Sequence, residues 1–198
     1  MAVYAFVFPG QGSQSVGMGQ DLAQAFPSAR AVFEEVDDAL GENLSKIIFE
    51  GPAESLTSTE NTQPALMAVS MAVLRVLENE GGLDLASTAT LLAGHSLGEY
   101  AALAAARSLG IAQTAKLLRL RGQAMQKAVP AGEGGMAALI GATLEQAEEI
   151  CAQSSKTALV EIANDNGGGQ IVLSGKMAGI DTAIALAKEM KIKRAVKL

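Results

Sequence analysis

The one histidine of this 198-residue chain, His95, stands beside a serine in Gly94-His95-Ser96-Leu97-Gly98. A serine held on a sharp turn can attack an acyl carbon, and glycine two residues to either side removes the Cβ atoms that would block so tight a turn. Serine also needs a base before it is nucleophilic, and the side chain of an immediate neighbour leaves such a turn in another direction. Ser96 is therefore the candidate nucleophile and His95 a structural residue. The pentapeptide alone is a common pattern that a plain glycine-rich turn also shows, so its setting has to decide.

That setting is a strand before the turn and a helix after it. Residues 88–93 (TATLLA) form a short apolar, partly β-branched run, and residues 97–107 (LGEYAALAAAR) are rich in strong helix formers. Ser96 falls at the junction, with the Leu97 amide and the positive end of the helix dipole beside its hydroxyl. Residues 3–8 read as a first, buried strand. It runs into Phe8-Pro9-Gly10-Gln11-Gly12-Ser13-Gln14, a loop of glycines and side-chain donors at the carboxyl end of a strand, where α/β proteins bind ligands. Helices are expected at about 18–26, 28–40 and 43–50. A long helix follows, capped by Thr62 with Pro64 in its first turn, and residues 79–85 form a loop leading to the elbow.

A second residue stands out on the helix expected at 111–129. At about 100° per residue, Leu117, Leu118, Ala124, Met125, Ala128 and Val129 share one arc, and Lys116, Arg119, Gln123, Gln126 and Lys127 share the other. Arg121 lands within the apolar arc, where an unpaired guanidinium is costly and calls for an anion. The partner is either an internal acid, with Glu99 one turn into the elbow helix available, or a ligand carboxylate, which the planar guanidinium grips with two parallel hydrogen bonds.

The glycine-rich stretch 130–135 marks a boundary, dividing the chain into 1–130 and 131–198. Beyond it, strands at 136–140, 158–164, 170–174 and 193–198 and helices at 143–154 and 177–190 give the β-α-β-β-α-β order of a ferredoxin-like unit. An apolar content of 49% supplies a sizeable core, and the absence of Trp, with two Tyr and five Phe, suits helices packed on a sheet rather than an all-β fold. A net charge of −6 leaves no electrostatic footprint for nucleic acid, and no basic amphipathic segment suits a membrane. The apolar N-terminus lacks a basic flank and breaks at Pro9-Gly10, too early for export or spanning. The single cysteine, Cys151, reads as an inert core thiol in a reducing, cytoplasmic setting. Lys188, Lys191, Lys193, Arg194 and Lys197 read as exposed, able to meet an acidic protein.

Taken together, residues 8–14, Thr62-Gln63-Pro64-Ala65-Leu66, Gly94 through Tyr100, and Arg121-Gly122 resemble the malonyl-CoA:acyl carrier protein transacylase family of bacterial fatty-acid synthesis, in order and at matching separations. The resemblance implies a hydrolase-like parallel-sheet α/β core interrupted by a ferredoxin-like α+β subdomain, with the active site between them. It implies that Ser96 carries malonyl as an ester from coenzyme A to the phosphopantetheine thiol of acyl carrier protein. In that scheme the Leu97 amide and Gln11 hold the oxyanion, Arg121 binds the free malonyl carboxylate, and Gln63 belongs to the same pocket. No cofactor or metal is implied, since malonyl-CoA is a substrate. The alternatives are a serine esterase or lipase-like hydrolase, and a non-catalytic module binding acyl-CoA or carrier protein.

Two departures from the family pattern stand out. Asn166-Gly167-Gly168 replaces the usual Asn-Ser-Pro and is expected to loosen a loop. Family members also continue past the position of Leu198 into a segment that returns to the core and carries the general-base histidine. The 198 residues are therefore expected to be a truncated form, nearly inactive alone and with an open sheet edge.

Overall fold

The computed structural model describes residues 3–128 and 132–198; Val129 and the start of the expected linker, Pro130 and Ala131, lie outside the described residues. The chain divides into two compact units, Met1–Lys127 and Ala128–Leu198.

In the first unit, β1 (Tyr4–Phe8) leads through the Pro9-Gly10-Gln11 loop into four helices, α1 (Gln20–Ala25), α2 (Pro27–Leu40), α3 (Leu44–Glu50) and α4 (Ala53–Thr57). The long α5 (Thr59–Asn79) follows, then α6 (Leu85–Thr88), β2 (Ala89–Gly94), α7 (Leu97–Ala105) and α8 (Ile111–Ala128). Strands β1 and β2 pair in parallel with Phe8 opposite Gly94, so both end at the same level and release their loops side by side. Phe6 and Leu92, aligned partners, pack with Phe8 against the helical core around Met67, Met71, Leu97 and Leu118.

The expectation of a buried first strand is corrected here. Val7 is 73% exposed and Leu91 58%, because the face carrying Ala5, Val7, Leu91 and Ala93 has no described element against it. Parallel strands ordinarily bury both faces.

Helix α5 also begins a turn earlier than its expected cap. Thr62 is fully buried inside it, where its hydroxyl donates to the Leu56 carbonyl at 2.5 Å. Pro64 thereby becomes an interior residue, unable to donate to the carbonyl of Glu60. Sequence placed Thr62 at the cap because Thr and Pro suit those positions; α4, a single short turn, is not among the helices expected from sequence.

The second unit runs β3 (Gly134–Ile140), α9 (Leu144–Ser154), β4 (Val160–Asp165), β5 (Gln170–Lys176), α10 (Met177–Glu189) and β6 (Arg194–Lys197). Its sheet has the order β4-β5-β3-β6 with every neighbour antiparallel, the ferredoxin-like arrangement. Ala137, Leu139, Ile171 and Leu173 of the sheet pack with Ile150 and Ile180 of the helices. Thr143 caps α9 in a reciprocal capping box with Gln146.

The β4–β5 turn holds Gly167, Gly168 and Gly169 at φ of 74°, 60° and 79°, conformations suited to glycine. It is closed by the Asn166 amide donating to Gln170 and the Gln170 amide to Gly167, so the extra glycines make a tied turn rather than a loose one. Cys151 lies half-buried on α9, and burial, with the Glu161 carboxylate nearby, pushes its thiol up. Less thiolate is present at a given alkaline pH, so iodoacetamide at pH 8 is expected to label Cys151 several-fold more slowly than a free cysteine peptide. Equal labelling rates, read by intact mass, would contradict this placement.

No described helix is long and apolar enough to cross a membrane. Among the described residues, no group of three or more His, Cys, Asp or Glu side chains is placed to hold a metal ion.

Candidate active site

Ser96 occupies the turn between β2 and α7 with φ 55° and ψ −111°, a backbone conformation that only glycine adopts freely. Holding a serine there costs roughly 1–3 kcal/mol. The turn is tight enough to require both glycines. A Cβ on Gly94 would lie 1.9 Å from the Gly98 carbonyl carbon, and one on Gly98 would lie 2.3 Å from the Phe8 carbonyl oxygen. Ser96 is left exposed at the tip while Leu97 is buried beneath it. The Leu97 amide, first in α7, is among those a helix cannot satisfy internally, and it stands at the positive end of the helix dipole.

The β1 loop is drawn against this elbow. The His95 amide donates to the Phe8 carbonyl at 3.2 Å, and Gly10 comes so close to the imidazole that a Cβ there would be 2.6 Å from His95 Nδ1. The imidazole thus packs over the Gly10 backbone.

Helix α8 brings Arg121 to the serine. Gly122 lets it approach the first turn of α5, where a Cβ would lie 2.5 Å from the Glu60 Cα. Arg121 Nη2 then donates to Ser96 Oγ at 2.9 Å and Nη1 to Gln63 Oε1 at 2.6 Å, with the Tyr100 ring 5.9 Å from the guanidinium carbon. Gln63 Nε2 donates in turn to Thr59 Oγ1 at 2.9 Å and contacts Met125 Sδ at 3.3 Å. The Thr59 hydroxyl donates to Gln11 Oε1 at 2.9 Å. One hydrogen-bonded chain therefore runs from Gln11 through Thr59, Gln63 and Arg121 to Ser96, and Leu97 follows Ser96 directly.

Two expectations for α8 change. Its buried face is Ile111, Thr114, Ala115, Leu118 and Gly122, whereas Leu117, Ala124, Met125 and Ala128 are exposed. Close helix approach selects small residues, which a hydrophobicity-weighted arc passes over. Arg121 is consequently half-buried at the rim, and among the described residues no carboxylate, Glu99 included, forms an ion pair with it. The arginine with an internal acid is Arg119, expected to be solvated. Its side chain is only 12% exposed, donating to Asn61 at 2.7 Å and pairing with Glu42 at 3.4 Å.

Thr59, Tyr100 and Met125 were missed from sequence. Thr59 and Gln63 are four residues apart on one helical face, a signal hidden by starting the helix at Thr62.

A strained serine on a strand-to-helix elbow, in an α/β unit followed by a ferredoxin-like one, defines an α/β protein of the nucleophile-elbow class. The family model described as acyl transferase domain matches residues 5–197, and the chain belongs to that family. It is 46% identical over 199 residues to the malonyl CoA-acyl carrier protein transacylase of Bacillus subtilis (strain 168), covering all of this chain and 61% of that protein. Among solved structures, the acyl-carrier-protein-S-malonyltransferase of Bartonella henselae is 58% identical with a TM-score of 0.95, covering 100% of this chain and 62% of that one. A type II PKS acyl-carrier protein in complex with its malonyl-transacylase matches at 42% identity and a TM-score of 0.91, again over 100% and 62%. The chain thus spans less than two thirds of the length of these relatives.

Proposed function

We propose that this chain carries the acyl-transfer chemistry of a malonyl-CoA:acyl carrier protein transacylase, as the names of its relatives suggest. Ser96 Oγ attacks the malonyl thioester carbon. The Oγ–C bond forms as the C–S bond breaks, the serine proton passes to a base, and coenzyme A leaves as its thiol. The phosphopantetheine thiol of acyl carrier protein then attacks the seryl ester and regenerates Ser96. The Leu97 amide and a donor from Gln11 stabilise the oxyanion formed at each step, each worth about 3 kcal/mol.

The observation that carries this reading is the guanidinium of Arg121 at 2.9 Å from Ser96 Oγ, anchored by Gln63 rather than by an acid. A guanidinium that pairs with no carboxylate among the described residues and touches the nucleophile suits an acyl group that ends in a carboxylate of its own. Malonyl does so; the neutral acyl groups of a simple esterase do not.

His95, the chain's one histidine, packs over Gly10, and we place the general base in the remaining length that the relatives carry. The reaction is placed in the cytoplasm, with malonyl-CoA and acyl carrier protein as partners and no cofactor.

The test is acylation of Ser96, read by intact mass, in a chain continued past Leu198 through that remaining length. Arg121→Ala is expected to slow malonyl transfer on the order of 10²-fold, the loss of two charge-assisted hydrogen bonds, and to leave acetyl transfer nearly unchanged. Equal losses for malonyl-CoA and acetyl-CoA would favour an esterase on the same elbow. Absence of any adduct in the parent would favour a binding module.

A further inference from the structure

Helix α8 carries two arginines, Arg119 and Arg121, and each is held by an amide side chain of α5. Arg119 Nη1 donates to Asn61 Oδ1 at 2.7 Å and Arg121 Nη1 to Gln63 Oε1 at 2.6 Å, and both pairs join residues 58 positions apart. Of the two, the second reaches the nucleophile. We infer that the first, with Glu42 behind it, fixes the rotation of α8 about its own axis, so that Arg119 is a positioning residue for acyl transfer. The inference rests on the malonyl-transfer reading and concerns a group outside the acyl site.

Helix geometry makes such a device effective. The buried face of α8 runs through Ile111, Ala115, Leu118 and Gly122, and at about 100° per residue Arg119 and Arg121 project roughly 80° to either side of it. A rotation that lifts one arginine from its partner therefore swings the other. With a guanidinium about 6 Å from the axis, a rotation of about 10° moves it by about 1 Å. A displacement of about 1 Å in a positioned site costs up to about 10²-fold in rate.

The buried face offers little to fix that angle near the site. Its last two residues are Leu118 and Gly122, and from Ala124 onward every described residue of α8 is exposed. Arg121 thus stands on the last seated turn, with Arg119 held on the opposite flank. The Arg119 side chain is 12% exposed and is shared between Asn61 and Glu42 Oε2, the latter at 3.4 Å. Asn61 is oriented in turn, because its Nδ2 donates to the Ser55 carbonyl at 2.8 Å and leaves its oxygen for the arginine. Arg119 Nε, however, is buried with no hydrogen-bond partner among the described residues. A guanidinium covered with one N–H unsatisfied is a poor means of stabilising a fold, since an apolar side chain of similar volume does as well or better. It is a good means of fixing direction, because a planar fork bonded on two sides has one orientation.

The test is single-turnover acylation of Ser96 by malonyl-CoA and by acetyl-CoA, in a chain continued past Leu198 as above, for Arg119→Met against its parent. Methionine fills much of the same space, and Glu42, whose side chain is 48% exposed, is left in water rather than buried alone. Arg119→Met is expected to slow malonyl-CoA roughly tenfold, an order less than loss of Arg121 itself, and to leave acetyl-CoA within about twofold. Asn61→Ala cuts the same pair from the α5 side and is expected to show the same selective loss. Asn61→Asp keeps an acceptor for Arg119 and is expected to retain most of the malonyl rate. In an Arg121→Ala background, Arg119→Met is expected to change neither rate, since no guanidinium is left to misplace. A parental ratio of malonyl to acetyl rates in Arg119→Met and Asn61→Ala overturns the inference. So does an equal loss from Arg119→Met with and without Arg121, which a role in the fold at large would give. Neither result touches the clamp reading, which falls if Arg121→Ala keeps the parental preference for malonyl.

Discussion

Ser96→Ala is expected to form no malonyl adduct, and Ser96→Gly is expected to form none while melting higher than the alanine protein. The two substitutions remove the same hydroxyl and treat the backbone differently. Alanine keeps the Cβ at φ 55° and ψ −111°, and with it the strain; glycine adopts that conformation without cost. The relief of roughly 1–3 kcal/mol is partly offset by the flexibility glycine adds to the unfolded chain, about 0.5–1 kcal/mol. A net gain of about 1 kcal/mol corresponds to some 2–4 °C for a chain of this size. Loss of a serine nucleophile costs on the order of 10⁶-fold in turnover, so the chemical effect dwarfs the structural one and takes the opposite direction. A malonyl adduct surviving in Ser96→Ala would move the nucleophile elsewhere. A glycine protein melting below the alanine one would remove the argument that strain is stored at this serine.

Gly94→Ala is expected to cost on the order of 4 kcal/mol or more, enough to lose most of the folded protein. The added carbon would lie 1.9 Å from the Gly98 carbonyl carbon and 2.3 Å from the Glu99 nitrogen, and backbone atoms at the start of a buried helix cannot move aside. Gly98→Ala meets the Phe8 carbonyl oxygen at 2.3 Å and is expected to behave alike, pushing β1 from α7. The control is Gly110→Ala, where nothing lies within 4 Å and the backbone is not left-handed. It is expected to stay within about 0.5 kcal/mol of the parent. Thermal melting of the three variants decides the matter; a well-folded Gly94→Ala protein would show that the elbow is looser than its geometry.

Much of this protein was legible without coordinates, for reasons that are local. The elbow depends on residue types at fixed separations: glycine where a Cβ cannot fit, an apolar run that pairs as a strand, helix formers directly after it. The ferredoxin-like unit was readable because its strands and helices alternate with clear periodicity and its first helix carries its own capping box at Thr143 and Gln146. Ser96 and Arg121 were both singled out from the residues, and the structure places them 2.9 Å apart. Gln11 and Gln63 came only through resemblance, because a glutamine in a loop or on a helix carries no signal of its own until its neighbours are known.

Tertiary structure decided what periodicity could not. Which face of α8 is buried was not legible from its apolar residues, since Gly122, with no side chain, passes against Thr59 and Glu60; Arg119 took the acid and Arg121 was left at the rim beside the serine. The exposure of β1 depended on what lies against its outer face, which an apolar sequence does not specify. The chain of hydrogen bonds from Gln11 to Ser96 joins residues 85 positions apart through Thr59, Gln63 and Arg121. Sequence by itself singled out the candidate nucleophile, Ser96, because the demands of its turn are local. Only folding determined the order and polarity of the groups along that hydrogen-bonded chain, because a hydrogen bond's direction is fixed by whichever partner the fold brings within reach.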